Sequence, residues 1–145
     1  MKISMKGKRV VVAGGSRGIG RSIALAFADA GAAVSICARG QDALAATSAE
    51  IAAKGAKSHA SVCDLADGAA ISTYIAAAAD ALSGIDILIN NASGFGMLDD
   101  EAGWAAGINV DLLATVRASH AAIPFVEQAG GGAILNISSI SGHGA

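Results

Sequence analysis

What most limits the fold of this chain is an alternation of two periods. Short apolar, β-rich runs at 9–13, 33–37, 58–62, 85–89 and 133–137 are separated by longer stretches of helical spacing. The first run, around Val10-Val11-Val12, enters a glycine loop and then a helix with Ile19, Ile23, Phe27 and Ala30 expected on its buried face. Gly31 stands where a helix C′ residue is expected. A second helix is predicted over 42–54, ended by Gly55, and a third over 68–82, with Ile71, Ile75, Ala78 and Leu82 at helical spacing. After the fourth strand a loop runs from Asn90 to about Asp100. A long Ala-rich helix is then predicted from near Trp104 to near Ala122, disturbed by Pro124, with Gly130-Gly131-Gly132 closing the unit. Strands that read as continuous apolar runs, each followed by a helix, imply a parallel sheet covered on both faces. Right-handed crossovers leave the doubly wound α/β sheet as the leading topology, in one domain spanning 1–145.

Composition sets what fills that frame. Hydrophobic residues make up 53% of the 145 positions and aromatics only 3%, so the core is built from Ala, Val, Ile and Leu. The 19 glycines follow no collagen period and point to tight turns and close backbone approaches. A net charge of -2 provides no global attraction for nucleic acid or an anionic membrane. No apolar stretch is long enough to span a bilayer, and the basic start Met1-Lys2-Ile3-Ser4-Met5-Lys6-Gly7-Lys8-Arg9 leads into no signal-peptide apolar region, so a cytoplasmic location is expected. Cys37 and Cys63 read as small buried side chains, and no Cys/His cluster indicates a metal.

The loop after the first strand reads Ala13-Gly14-Gly15-Ser16-Arg17-Gly18-Ile19-Gly20, with glycines at Gly14-x-x-x-Gly18-x-Gly20. Glycine there lets the backbone approach a pyrophosphate, and the helix that follows points free N–H groups at it. The bland alternative is a ligand-free Gly-rich turn. The end of the second strand discriminates between cofactors. NAD-binding domains usually place an Asp or Glu there for the ribose 2′-OH. Here the strand ends Cys37-Ala38-Arg39. A guanidinium can hold a 2′-phosphate through paired charge-assisted bonds, and Arg17 can close on the same group. The pattern favours NADP(H), the alternative for Arg39 being a solvated surface residue.

Taken together, the motifs resemble those of the short-chain dehydrogenases/reductases. Residues 13–20 resemble the family's T-G-x-x-x-G-x-G loop. Cys63-Asp64-Leu65 resembles its Asp-containing adenine contact, and Asn90-Asn91-Ala92-Ser93 its N-N-A-G element. Asn109 matches the helix Asn. Asn136-Ile137-Ser138-Ser139-Ile140-Ser141-Gly142 resembles the strand-five segment that carries the catalytic Ser. The matches occur in the family's order over essentially the whole chain. The resemblance implies a Rossmann-like fold and an oxidoreductase that interconverts a carbonyl and a secondary alcohol with NADP(H). It implies that Gly14, Ser16, Arg17, Gly18, Ile19 and Gly20 line the pyrophosphate and adenosine end, and that Arg39 holds the 2′-phosphate. Asp64 would accept from the adenine amino group beside Leu65, and Asn91 and Ala92 would lie against the ribose and nicotinamide. For Asp64 the alternative is a turn carboxylate. Ser139 would hydrogen-bond the substrate oxygen, and Ser138 is expected on the other face. Asn109 would hold a relay water, unless its amide merely satisfies nearby backbone. Ala13 and Ser93 depart from the family's Thr and Gly.

The resemblance also implies a Tyr with a Lys four residues on, about a dozen residues past the Ser. The sequence stops at Ala145, Tyr74 is the sole Tyr with Ala78 four residues on, and no Lys follows Lys57. The expectation is a chain truncated after the fifth strand and inactive alone, with His143 an improbable substitute acid. A non-catalytic NADP(H)-binding module is the alternative, and a ligand-free remnant a third reading. Phe95, Met97 and Leu98 could border a substrate pocket or simply pack. A small carbonyl or alcohol substrate is expected, with neither nucleic acid nor membrane as partner. A dimer or tetramer through the long helix is what the resemblance implies for the full-length protein.

Overall fold

The structure is a computed structural model and describes residues 3–140. Five strands run as β1 Arg9–Ala13, β2 Ala33–Ala38, β3 Ser58–Val62, β4 Ile87–Asn90 and β5 Ala133–Asn136. Helices α1 Gly18–Asp29, α2 Gln41–Ala53 and α3 Gly68–Leu82 connect the first four strands. Between β4 and β5 lie α4 Glu101–Ala106, a π-helical segment Gly107–Leu113 and α5 Ala114–Gln128. Every strand pairing is parallel, in the order β3-β2-β1-β4-β5.

Side-chain alternation divides the core into two layers. Val10 and Val12 of β1 face α1 and α2, where they meet Ala24, Ala28, Leu44 and Ile51. Val11 and Ala13 face the opposite layer, with Ile71, Ile75 and Ala78 of α3 and Ala114, Ala118 and Ala122 of α5. Val10, Val11 and Val12 are all fully buried, as a central strand covered on both faces requires. Asp86, just before β4, accepts from Arg9 at the entry end of the sheet, Nε to Oδ2 at 2.7 Å and backbone N to Oδ2 at 2.9 Å.

Three details depart from expectation. The buried residues of α1 are Gly20, Ala24 and Ala28, whereas Ile19 is 65% exposed and Ile23 and Phe27 are only half-buried. Small residues let the helix axis come close to the sheet, so the larger side chains flank the contact. Pro124 lies inside α5 without ending it. It is exposed, and Phe125 and Val126 just beyond it pack on the core, which carries the helix on to Gln128. Finally, β5 ends at Asn136, so strand alternation does not govern Ser138 and Ser139, both of which are exposed in the loop beyond.

Candidate functional site

β1 leads to β2 on one face of the sheet, while β4 is reached through α3 on the other. The strand order therefore reverses between β1 and β4, and the crevice beyond their carboxyl ends is where ligands bind in open α/β sheets. The glycine loop, Arg39, Asp64 and the Asn91-Ala92 segment follow the carboxyl ends of β1, β2, β3 and β4 at this end.

The glycine loop is fastened from three sides. Gly14 N and Gly15 N both donate to Cys37 O at 3.1 Å. Asn91 Nδ2, just past β4, donates to Gly14 O at 3.0 Å. Thr47 Oγ1 of α2 donates to Ser16 O at 3.0 Å. The family's Thr at position 13 is absent, and Asn91 supplies a brace across the crevice. Contact is close enough to exclude side chains. A Cβ on Gly20 would sit 2.0 Å from Gly14 O, and one on Gly14 would sit 2.9 Å from Ala92. Gly14, Gly20, Asn91 and Ala92 are thus one packed unit.

The start of α1 differs electrostatically from the other helix starts nearby. Asp67 caps α3 by accepting from Ala69 N, and Asp100 caps α4 by accepting from Gly103 N. At α1 the cap position is Arg17, which makes no side-chain capping bond, and the first turn has no acidic residue. Its leading N–H groups and the positive end of its dipole are left for an anion. Arg17 and Arg39 are exposed, and among the described residues neither is in an ion pair. Gly18 and Ile19 are exposed at the same mouth. The donor set, an unneutralised helix start plus two free guanidiniums, fits a polyphosphate ligand.

Past β3, Leu65 is buried in the core and Asp64 is exposed. Asp64 Oδ1 accepts from Ala66 N at 3.0 Å, so it makes a turn, while the helix cap belongs to Asp67. Cys37 and Cys63 are both buried, and a hydrogen bond to Cys63, together with burial, holds the Cys37 thiol well above its ordinary value. This thiol is packing, not a nucleophile. Tyr74 is buried too, its hydroxyl 2.9 Å from Ser35 Oγ, and burial raises it well above an ordinary phenol. It cannot serve as an acid at the crevice.

The segment after Ala92 packs on the π-helical turn. Gly94 N donates to Asp111 Oδ1 at 3.2 Å, and a Cβ on Gly94 would meet Ala106 O at 2.3 Å. The half-buried Asn109 lies within the element against which Gly94, two residues past Ala92, is packed. Isolated π turns recur at functional sites. On the other side Asn90 Nδ2 donates to Asn136 Oδ1 at 2.9 Å and Ile137 N to Asn90 O at 2.9 Å, which brings the chain carrying Ser139 to the same end of the sheet. Ser141, Gly142 and His143 lie outside the described residues. Phe95, Met97 and Leu98 are at least 70% exposed, and Met97 and Leu98 line an open groove of about 510 Å³ with Trp104, Ile108 and Leu112. Among the described residues no cluster of His, Cys, Asp or Glu could hold a metal ion, and no helix is long and apolar enough to cross a membrane.

The sequence pattern of the family described as short chain dehydrogenase matches residues 8–145. The chain belongs to the short-chain dehydrogenase family. It is 36% identical over 144 residues to D-xylose 1-dehydrogenase of Caulobacter vibrioides, covering 97% of this chain and 56% of that one. The crystal structure of a metagenomic short-chain oxidoreductase in complex with NADP superposes with a TM-score of 0.86 at 34% identity, over 97% of this chain and 66% of that one. A 7α-hydroxysteroid dehydrogenase complexed with NADH and 7-oxo glycochenodeoxycholic acid superposes with a TM-score of 0.93 at 30% identity, over 99% and 58% of the two chains. The chain spans about half the length of the curated relatives it matches. The five-stranded parallel sheet is the Rossmann-like core of this family.

Thr47 was not foreseen from sequence. A signal was present: with Leu44 and Ile51 it forms the buried stripe of α2, and a lone hydroxyl on such a stripe must find a partner.

Proposed function

We propose that the protein carrying these residues is an NADP(H)-dependent oxidoreductase that interconverts a carbonyl and a secondary alcohol by hydride transfer. The observation that carries the cofactor reading is the uncapped, acid-free start of α1 together with Arg17 and Arg39, neither of them ion-paired among the described residues. An acid at the end of β2 would repel a 2′-phosphate, and Arg39 stands there instead. The complex of a 34% identical relative with NADP supports the same choice, whereas another relative is complexed with NADH.

In this reading Gly14, Ser16, Arg17, Gly18, Ile19 and Gly20 hold the pyrophosphate and adenosine, Arg39 the 2′-phosphate, and Asp64 the adenine edge, with the buried Leu65 beside it in the chain. Asn91 and Ala92 flank the ribose and nicotinamide. A dinucleotide held by these residues would supply a hydride to the carbonyl carbon in reduction, or take it from the carbinol carbon in oxidation. The Ser139 hydroxyl donates to the substrate oxygen as negative charge builds on it, which stabilises the transition state more than the ground state. Asn109 would hold a water in the relay that brings the alkoxide oxygen its proton from solvent in reduction and carries it away in oxidation. The family's Tyr and Lys are not among residues 1–145, and the one Tyr is locked in the core against Ser35. We therefore read residues 1–145 taken alone as a module that binds NADP(H) without turnover. A cytoplasmic location and a homo-oligomer complete the proposal. The exposed apolar residues Ile108, Leu112, Val116 and Ile123 on the long helical element are the surface such an oligomer would bury.

The test is titration of the natural gene product with NADPH and NADH, followed by NADPH oxidation across a panel of ketones and aldehydes. Tighter binding of NADPH is expected, with R39A losing about 10–100-fold for NADPH and little for NADH, the range a charge-assisted contact supports. Equal binding of the two, or an R39A effect blind to the 2′-phosphate, would refute the cofactor reading.

A further inference from the structure

Thr47 is 1% exposed, and its hydroxyl donates to Ser16 O at 3.0 Å. The Ser16 carbonyl and the Arg17 N–H belong to one rigid peptide plane, so this bond fixes the plane from which Arg17 departs. The other end of the connection is α2 itself, which starts from Gly40, the residue after Arg39. Thr47 therefore ties the segment carrying Arg17 to the helix that begins beside Arg39. A second tie crosses the same seam one turn on, where Arg21 Nε donates to Glu50 Oε1 at 3.1 Å. That pair is about 40% exposed on both sides, so solvent screens it. The Thr47 side chain is buried while Ser16 is half-buried, so this bond is better sheltered from water than the Arg21–Glu50 pair.

We infer that Thr47 is a positioning residue that fixes the span between Arg17 and Arg39, and so sets how strongly the site prefers a 2′-phosphate to a 2′-hydroxyl on the adenosine ribose. The inference rests on the NADP(H) reading above. Two guanidiniums share one phosphate only at a limited range of separations, because each fork must meet oxygens on the same group. A ligand with a free 2′-hydroxyl engages the glycine loop alone and does not sense that span. Loosening α2 from the loop therefore weakens one ligand class selectively.

The experiment uses the natural gene product as wild type, T47V and T47S, titrated with 2′,5′-ADP and with 5′-ADP, together with KM and kcat for NADPH. Valine keeps the shape and removes the hydroxyl, and serine keeps the hydroxyl. T47V is expected to lose about fivefold in affinity for 2′,5′-ADP, the fold-change of one net hydrogen bond, and less than about twofold for 5′-ADP. The KM for NADPH rises with kcat kept, and T47S returns both values toward wild type. Equal losses for the two nucleotides, no loss for either, or a T47S that behaves like T47V would each overturn the inference while leaving the cofactor reading intact. A wild type that binds 5′-ADP as tightly as 2′,5′-ADP would overturn the cofactor reading, and the inference with it.

Discussion

Replacing Gly20 with Ala tests whether the glycine loop is held by close packing against the β4 side of the crevice. The new Cβ would lie 2.0 Å from Gly14 O and 2.5 Å from Asn91 Nδ2. Ordinary contact begins at 3.4 Å, so the carbonyl must retreat by more than an ångström. That carbonyl is the acceptor of the 3.0 Å bond from Asn91, which is lost as the two move apart. The lost bond costs about 1 kcal/mol and the forced displacement about 1–3 kcal/mol. Alanine's helix preference returns about 1 kcal/mol. The net loss is about 1–3 kcal/mol, a fall of roughly 3–10 °C in Tm for a domain of this size. Denaturant melts of G20A, N91A and the double variant in the natural gene product separate the two contributions. N91A alone loses about 1 kcal/mol, and the double variant loses less than the sum, because G20A has already broken the bond that N91A removes. NADPH affinity falls at least about tenfold in G20A, since the displaced backbone is the proposed pyrophosphate cradle. A G20A protein with unchanged Tm and unchanged NADPH affinity, or fully additive losses, would refute this account.

Other predictions are more local. D86N loses about 1.5–3 kcal/mol near neutral pH, because Arg9 no longer meets a carboxylate. The hydrogen bond from Arg9 holds the Asp86 carboxyl below its ordinary 3.8, so its contribution is present above that value and disappears as pH falls through the lowered one. Melts of wild type and D86N as a function of pH should therefore converge in acid. Y74F loses about 1–2 kcal/mol through the Ser35 contact but leaves NADPH affinity and kcat unchanged, which steady-state assays check. S139A lowers kcat about 100–1,000-fold with NADPH binding intact. Residues 1–145 expressed alone should self-associate in sedimentation experiments, because β5 lies at the sheet edge with Leu135 44% exposed and Ile137 43% exposed just beyond it.

Much of this was legible in the chain. α3 carries Ile71, Ile75, Ala78 and Leu82 at helical spacing, and all four are buried as that spacing requires. β1 announces itself through three successive valines, and all three are central. The glycine spacing and the two asparagines after β4 were readable as motifs, and the structure packs them together. The face of α1 was misjudged because Gly20, Ala24 and Ala28 bury little area, and periodicity detects contrast in hydrophobicity, not closeness of approach. The π-helical turn around Asn109 lies against Gly94, a contact between distant positions that has no local signature. The helix past Pro124 likewise depends on Phe125 and Val126 reaching the core, which local propensity does not record.

The position of β1 in the sheet has a consequence for biosynthesis. This strand is among the first parts of the chain to be made, yet one of its two neighbours, β4, comes far later. Arg9 and the Asp86 that anchors it are 77 positions apart. At ordinary elongation rates the ribosome needs about 4–15 s to cross that interval. Once β2 has been made, Val10, Val11 and Val12 have a parallel partner on one side and await β4 on the other. The central strand of the sheet therefore cannot complete its pairing until residue 90 has been made, and a pause in synthesis between 40 and 90 would prolong its half-paired state.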